Sequence, residues 1–215
     1  THHASSAASD VYKRQGLRAM FTMMNNARLG VGGQGIGVAE AAFQHSTEYA
    51  LNRKQGKSTI QNKHGTIIDH ADVRRMLISM RADIFASRSI ELENAKAIDM
   101  ANATGEPEWI NKAAFLTPIT KVFGTEIGIN ISNLGVQIHG GMGFIEETGA
   151  AQFSRDVRVT AIYEGTNGIQ AMDLVGRKMM DNGETAYAII NQIKVYIDNL
   201  SGVKKDLSVL LGLAN

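Results

Sequence analysis

The sequence predicts an all-α protein, an up-down four-helix bundle with additional C-terminal helices. Apolar residues recur at spacings of three and four along several long segments, which is the period of a helix that buries one face. Only two of the 215 residues are proline, and no segment alternates strictly between apolar and polar side chains as a half-buried strand does. Short links between the long segments favour antiparallel neighbours in a bundle.

The first helix is predicted over residues 17–52, where Met20, Phe21 and Met24 share the helical spacing. A polar loop over 53–69 follows, and a second helix is predicted over 69–102. That helix is expected to stop near the Gly105–Pro107 pair, because proline cannot continue it.

A third helix is predicted after Pro107, with a re-set at Pro118 and an end at the Gly140–Gly143 cluster. Residues 143–160 are interpreted as a polar connection. A fourth helix is predicted over 166–180, and one or two amphipathic helices over 184–213. The predicted domains are therefore a leader or truncation scar at 1–15, a bundle at 16–181 and a helical extension at 182–215.

Composition and charge exclude several classes of protein. The chain has no cysteine, which excludes a disulfide scaffold, a thiolate metal site and a cysteine nucleophile, and which favours a cytoplasmic location. A net charge of +1 gives no electrostatic reason to expect nucleic acid as a partner. No apolar run approaches the roughly 18 residues of a membrane span. No metal site is expected, because the histidines outside the leader form neither E-x-x-H nor H-x-x-x-H pairs.

Glycine is abundant for a helical chain, with 22 residues. The stretch Gly30–Gly35 matches G-x-G-x-x-G, but a dinucleotide site needs a strand before it, and the preceding segment is predicted to be helical. The alternative interpretation is a helix thinned with small residues so that a neighbour or a ligand can approach its backbone.

Two stretches carry the strongest chemical signal, V-Q-I-H-G-G-M-G-F over 136–144 and I-Y-E-G-T-N-G-I-Q over 162–170. The first ends a helix in glycines that can expose backbone amides to a ligand. The second places a carboxylate just before a helix start, where free amides and the helix dipole favour an anionic group. The simpler alternative is capping alone: a glycine-rich C-cap, then an N-cap at Thr166 or Asn167.

Together these stretches resemble the C-terminal helical domain of the acyl-CoA dehydrogenases. Q-I-H-G-G-M-G-F precedes Y-E-G-T-N-G-I-Q with Arg155-Asp156 between them, and Asn25-Asn26-Ala27-Arg28-Leu29-Gly30 continues the likeness into the first helix. The resemblance covers roughly residues 17–177. The run I-I-D-H-A-D-V-R-R-M-L and the extra tail resemble the branch that includes 3-methylthiopropanoyl-CoA dehydrogenases.

The resemblance implies an FAD-dependent enzyme that oxidises an acyl-CoA thioester to the 2,3-enoyl-CoA and passes electrons to an electron-transfer flavoprotein. Glu164 corresponds to the base that removes the α-proton, and desolvation as the site closes would strengthen it. Gly165 would let the substrate approach the backbone. Some relatives carry the base just before the arginine of the first helix, where this chain has Ala27, which favours Glu164.

The resemblance also implies the residues that bind cofactor and substrate. The ADP part of FAD, held mainly by a neighbouring subunit, would lie on five consecutive residues: Gln137, Ile138, His139, Gly140 and Gly141. Thr166, Asn167 and Gly168 would touch the phosphate side of the flavin, and Asn25 and Arg28 would contact the CoA-bearing substrate. The alternative for Arg28 is a solvated charge on an exposed helix turn. The glycines of the first helix, of the cluster at 140–143 and of the turn at 164–168 are all expected beside substrate or cofactor.

The chain departs from the family pattern at two contacts. The family arginine that contacts the flavin pyrophosphate corresponds to Arg53, but Arg53-Lys54-Gln55-Gly56 is one residue shorter than the usual R-x-x-F-G and lacks the aromatic residue. The usual H-Q pair is His70-Ala71, so a glutamine contact is lost.

The sequence also contains neither the N-terminal helical domain nor the middle β-domain of a complete family member. The chain alone is therefore expected to bind FAD poorly and to turn over little substrate. A homo-oligomer, a dimer or tetramer, is expected from the family. The alternatives are a non-catalytic helical assembly module and a nucleic-acid-associated relative, and the net charge of +1 argues against the second.

Overall fold

The computed structural model describes residues 15–58, 60 and 65–199, and within them the prediction of an all-α fold is confirmed. Three long helices dominate: α1 (Gln15–Asn52), α2 (Ala71–Thr104) and α3 (Pro107–His139). The shorter helices are α4 (Gly141–Phe144), α5 (Ala150–Val157), α6 (Asn167–Asp173) and α7 (Glu184–Asp198). Short 3-10 turns lie at Ile67–Asp69, Glu146–Thr148 and Arg158–Ala161, and a π-helical turn at Leu174–Lys178.

The long helices form three sides of the bundle, and short helices complete it. The core lies between α1, α2 and α3, with Ala39, Met80, Ile84 and Ile131 almost completely buried. Helix α5 packs against α1 and α3, while α6 and α7 pack against α3. The predicted fourth helix over 166–180 is therefore only seven residues of α6 followed by the π-helical turn.

Helix α3 differs from its prediction, because it continues through Pro118 without a break. Proline removes one N–H donor from a helix, but Pro118 is fully buried, and packing around it holds the backbone in place.

The polar connection predicted over 143–160 is also wrong, since it contains α5. Ala150, Phe153 and Val157 recur at spacings of three and four, and both Ala150 and Val157 are buried. This short apolar stripe is the signal for the helix.

The glycines of α1 serve close packing against α3. A Cβ on Gly35 would stand 2.8 Å from the carbonyl carbon of Gly124, and one on Gly128 would stand 2.7 Å from the carbonyl oxygen of Gly35. Backbone therefore meets backbone between the helices. The sequence left open whether a neighbouring helix or a ligand approaches these glycines, and Gly32 and Gly35 face a neighbouring helix.

An amphipathic helix predicted from residue 184 is confirmed as α7, whose Ile197 is buried. The side chain of Asp181 caps this helix, since it accepts hydrogen bonds from the backbone N–H groups of Gly183 (2.9 Å) and Thr185 (3.0 Å). The predicted leader, apart from Gln15, and the end of the extension lie outside the described residues. No helix that the structure describes combines the length and apolar character needed to cross a membrane.

Candidate active site

The turn before α6 brings Glu164 into the site in an uncommon backbone conformation. Glu164 has a φ of +55° and Gly165 a φ of +82°, so two consecutive residues are in the left-handed region. Non-glycine residues rarely adopt this conformation, which persists where surrounding contacts enforce it. The turn is therefore held by its neighbours.

Gln170 and Arg28 supply the contacts that hold this turn. The fully buried side chain of Gln170 donates from Nε2 to the carbonyl oxygens of Glu164 (3.2 Å) and Gly165 (3.3 Å). Arg28 donates from Nε to the same carbonyl of Glu164 at 3.4 Å. A Cβ on residue 165 would stand 2.8 Å from Nε2 of Gln170, so glycine is needed there for space as well as for φ.

Arg28 is only 5% exposed, so the alternative of a solvated surface charge is wrong. Its Nη1 pairs with Oδ2 of Asp173 at 3.2 Å and donates to Oδ1 of Asn25 at 3.1 Å. The other carboxylate oxygen of Asp173 pairs with Nε of Arg177 at 2.6 Å. Arg28 thus links α1, α6 and the turn that carries Glu164.

The carboxylate of Glu164 remains available for chemistry. The side chain is half-buried, and none of the residues that the structure describes donates a hydrogen bond to it. The charges of Arg28 and Lys121 lie nearby, and Lys121 interacts electrostatically with Glu164. A half-buried carboxylate with free oxygens on a fixed turn can accept a proton from a bound molecule.

At the start of α6, the capping alternative is confirmed for Thr166 and wrong for Asn167. Thr166 is the N-cap, and its side chain accepts from the N–H of Ile169 at 3.4 Å. The side chain of Asn167 points to α3, where it contacts Lys121 (2.8 Å), Thr125 (3.1 Å) and Glu126 (2.6 Å). These bonds leave the backbone of Asn167, together with exposed Thr166 and Gly168, as the groups that could face a ligand.

Lys121, which the sequence analysis does not single out, contacts the start of α6 and interacts electrostatically with Glu164. Its side chain is completely buried on α3, and burial lowers its pKa from the usual 10.5 to about 8. The positive charge of Arg28 acts in the same direction, while the carboxylates of Glu126 and Glu164 oppose it. The signal in the sequence is position: Lys121 lies four residues before Thr125, on the small-residue face of α3 that packs inward.

A second region lies at the other end of α3. Gln137–Gly140 line a groove of about 390 Å³ together with Arg53, His70 and Tyr49. Gly140 has a φ of +60°, and a Cβ on Gly140 or Gly141 would meet nothing within 4 Å, so the backbone here is open. The structure therefore brings Arg53 beside four of the five residues predicted to contact the ADP part of a cofactor.

His139 is buried in the wall of this groove. Its Nδ1 lies 2.7 Å from the carbonyl oxygen of Gly135, and its ring stacks on Tyr49 at 4.2 Å and on His45 at 4.8 Å between centroids. Burial lowers the pKa of His139, and the neighbouring His45 adds to that effect. The neutral ring donates from Nδ1, and its Nε2, a bare acceptor, has no hydrogen-bond partner among the described residues.

The two regions are separate in space. Lys121 and His139 are 18 positions apart on α3, which corresponds to about 27 Å of helix. One region groups Asn25, Arg28, Glu164 and Gly165 with the start of α6; the other groups Arg53 with Gln137–Gly140. No cluster of acidic or histidine side chains in the described part of the chain could hold a metal ion.

This all-α bundle, with its Glu164 turn and its glycine-rich helix end, matches a known class of domain. Residues 14–180 match the model of the acyl-CoA dehydrogenase C-terminal domain, and the chain belongs to that family.

Among relatives, the chain is 46% identical over 195 residues to the 3-methylmercaptopropionyl-CoA dehydrogenase of Ruegeria pomeroyi, an alignment that covers 88% of the chain and 33% of that protein. Methylmercaptopropionyl and methylthiopropanoyl name the same acyl group, so this relative carries the name of the branch that the sequence resembles.

Two butyryl-CoA dehydrogenases extend the comparison. The one from Syntrophomonas wolfei is 34% identical over 192 residues, covering 86% of the chain and 32% of that protein. The solved structure of the one from Megasphaera elsdenii is 29% identical with a TM-score of 0.60, covering 72% of the chain and 36% of that structure. The chain spans about a third of the length of the curated relatives that it matches.

Proposed function

We propose that the chain is the C-terminal helical part of an FAD-dependent acyl-CoA dehydrogenase, in which Glu164 removes the α-proton of an acyl-CoA thioester. The observation that carries the proposal is the free carboxylate of Glu164, on a turn that Arg28 and Gln170 hold by its backbone. A base on a fixed turn meets the geometric need of proton abstraction, because the reacting groups must be aligned before the proton moves.

In this reaction the α-carbon loses a proton to an Oε atom of Glu164, and the electrons of that C–H bond form the new double bond. Bound FAD would supply the acceptor for the hydride that leaves the β-carbon. The chain's own residues fix the base. Arg28 and Gln170 donate hydrogen bonds to backbone carbonyl oxygens of the turn. Gly165 has no side chain, so the substrate could approach the backbone there. Asn25, which already accepts from Arg28, would contact the CoA-bearing substrate.

The residues of the groove fit the ADP part of FAD. Arg53 is exposed and supplies a cation for a diphosphate, while Gly140 and Gly141 offer open backbone. Nε2 of His139 is a buried acceptor without a partner among the described residues, which suits a hydroxyl or amino group of an adenosine. Gln137 and Ile138 would complete this contact, and the backbone of Thr166, Asn167 and Gly168 would lie on the phosphate side of the flavin in the other region.

The separation of the two regions by about 27 Å of helix supports a homo-oligomer, a dimer or tetramer, in which the groove receives the cofactor of a neighbouring subunit. An electron-transfer flavoprotein would take up the electrons, and 3-methylmercaptopropionyl-CoA is the first thioester to try, given the relative in Ruegeria pomeroyi. The cytoplasmic location stays a prediction. So does poor FAD binding by the chain alone, which a yellow sample with stoichiometric flavin would contradict.

The deciding experiment is Glu164→Gln in the enzyme that carries this chain. Anaerobic mixing with the acyl-CoA should bleach the flavin of the unsubstituted enzyme, and the variant should react at least about 100-fold more slowly, since it lacks the base. Glu147→Gln is the matched control, because Glu147 is exposed on a surface turn and its loss should leave the rate unchanged. Equal rates for Glu164→Gln and the control would reject the proposal.

The second candidate, a non-catalytic assembly module, is favoured by a stripe on α2. Ile78, Phe85 and Leu92 recur every seven residues and are 68%, 73% and 63% exposed. Exposed apolar stripes of this kind mark surfaces that pack against a partner. If Phe85→Glu dissociates the oligomer and Glu164→Gln leaves flavin reduction unchanged, assembly is the function. Loss of flavin reduction in Glu164→Gln with an intact oligomer supports the dehydrogenase.

A further inference from the structure

A completely buried lysine is bound to the segment that carries the proposed base. Lys121 lies on the inward face of α3, and its Nζ donates to Oδ1 of Asn167 at 2.8 Å. Asn167 is the first residue of α6 and follows Glu164 by three positions. The lysine therefore acts on the end of the turn opposite to the one that Arg28 and Gln170 hold.

The contact belongs to a small network that fastens the start of α6 to α3. The amide nitrogen of Asn167 donates to Oγ1 of Thr125 (3.1 Å) and to Oε1 of Glu126 (2.6 Å), while its oxygen accepts from Lys121. The short side chain of Asn167 is thus bound at both its oxygen and its nitrogen, which leaves the first turn of α6 little freedom to move relative to α3.

The charge of Lys121 is not used in an ion pair with any residue that the structure describes, which sets it apart from a structural lysine. Lys112, also buried on α3, pairs directly with the carboxylate of Glu93 at 2.6 Å. Lys121 instead directs its ammonium to a neutral amide, although burial of a charge is costly. Packing alone would not select such a group, and Lys121 also interacts electrostatically with Glu164.

We propose that Lys121 is a positioning residue for the dehydrogenation proposed above, and that it acts through Asn167 to hold the Glu164 turn on α3. The inference rests on the proposed function only for its effect on rate. The holding of the turn is a property of the chain and can be measured without turnover.

The first measurement is amide hydrogen exchange in the enzyme that carries this chain. Lys121→Met keeps an unbranched chain that is one atom shorter and removes the donor, so exchange in the peptide spanning 163–170 should become at least tenfold faster. Lys112→Met is the matched control, a buried lysine on the same helix, and it should speed exchange near α7, which it contacts through Gln192, but not at 163–170.

The second measurement is the rate of flavin reduction. Lys121→Met should lower the rate at saturating acyl-CoA at least tenfold. The half-saturating concentration of acyl-CoA should change less than twofold, because a displaced base slows the chemical step while most of the substrate-binding contacts remain. Asn167→Ala should slow reduction at least as much, because it also removes the bonds to Thr125 and Glu126. The double variant should be no slower than the slower single one, since both changes break the same link.

Each outcome decides the inference. Unchanged exchange at 163–170 in Lys121→Met overturns it, as do fully additive rate effects with Asn167→Ala. If Lys121→Met does not fold, Asn167→Ala removes the same link from its less buried side, and unchanged exchange at 163–170 in that variant overturns the inference. If the unsubstituted enzyme does not reduce its flavin, the proposed function fails, and the exchange measurement still shows whether Lys121 holds the turn.

Discussion

The guanidinium of Arg28 lies 3.4 Å from the backbone carbonyl oxygen of Glu164, measured from Nε, although 136 residues separate them in the chain. A side chain on α1 therefore stabilises a left-handed residue that lies far away in the sequence. The same guanidinium pairs with Asp173 on α6, so one buried cation binds both the turn and the helix that follows it.

This arrangement predicts a large loss of stability in Arg28→Met. Breaking a buried ion pair leaves an uncompensated charge, so we expect the free energy of unfolding to decrease by about 3 kcal/mol. This value is at the low end of the usual range, because Arg177 still pairs with Asp173. Urea denaturation measures it. Arg75→Met, which breaks the exposed pair with Asp72, should cost less than about 1 kcal/mol, and equal losses in the two variants would contradict the prediction.

The packing of α1 on α3 predicts opposite effects for two glycines of one helix. Gly35→Ala would place a Cβ 2.8 Å from the carbonyl carbon of Gly124, and we expect a loss of about 1–3 kcal/mol from overpacking. A Cβ on Gly37 would meet nothing within 4 Å, so Gly37→Ala should stabilise the helix by about 0.5–1 kcal/mol. Thermal or urea unfolding of both variants is the measurement, and a stabilising Gly35→Ala would disprove the close approach.

Lys121 predicts a pH dependence of stability. The folded chain loses the proton of Lys121 near its lowered pKa of about 8, whereas the unfolded chain keeps it to a pKa near 10.5. The unfolded state thus binds more protons between these values, so the contribution of Lys121 to stability rises with pH from about 8 to 10.5 and is constant below. Arg28, Glu126 and Glu164 are the charged groups that set this shift together with burial.

Lys121→Met removes that rise. The difference in unfolding free energy between the unsubstituted protein and the variant should grow by up to about 3 kcal/mol between pH 7 and pH 10, measured by urea denaturation at each pH. Other titrating groups are common to both proteins and cancel. A difference that stays constant over this range would show that Lys121 keeps an ordinary pKa.

The groove beside His139 predicts a role for Arg53 in holding a cofactor. Arg53→Gln should weaken retention of FAD by about tenfold in the enzyme that carries this chain, since a charge-assisted contact to phosphate is lost. Flavin content after gel filtration is the measurement. Lys54→Gln changes the adjacent exposed cation, which does not line the groove, and it should leave the flavin content unchanged. Equal losses in the two variants would remove Arg53 from the site.

Much of the fold follows from the sequence, because the long helices carry a continuous apolar period. The start of α7 after Gly183 and the end of α2 before Gly105 agree with the glycines that mark them. The fourth side of the bundle is less predictable, since α5 and α6 are only eight and seven residues long and owe their helical conformation to packing on α3.

The candidate site likewise has residues that the sequence predicts and residues that only tertiary packing explains. Glu164 and Arg28 can be proposed from a motif. The buried position of Arg28, however, depends on Asp173, which is far away in sequence and which no local pattern connects to it. Lys121 is hard to predict for a related reason: its spacing from Thr125 suggests an inward position, but its complete burial depends on the helices that pack around α3. Long-range burial is a tertiary property that periodicity on one helix does not report.

The contact between Gly35 and Gly124 also limits how the chain can change over generations. When a bulky side chain meets another side chain, a second substitution that shrinks the partner can restore the fit. Here the opposing atoms are main-chain carbonyl groups, which every amino acid shares. A selection for second-site suppressors of Gly35→Ala therefore has no partner residue to trim, and revertants at position 35 itself should dominate what it recovers.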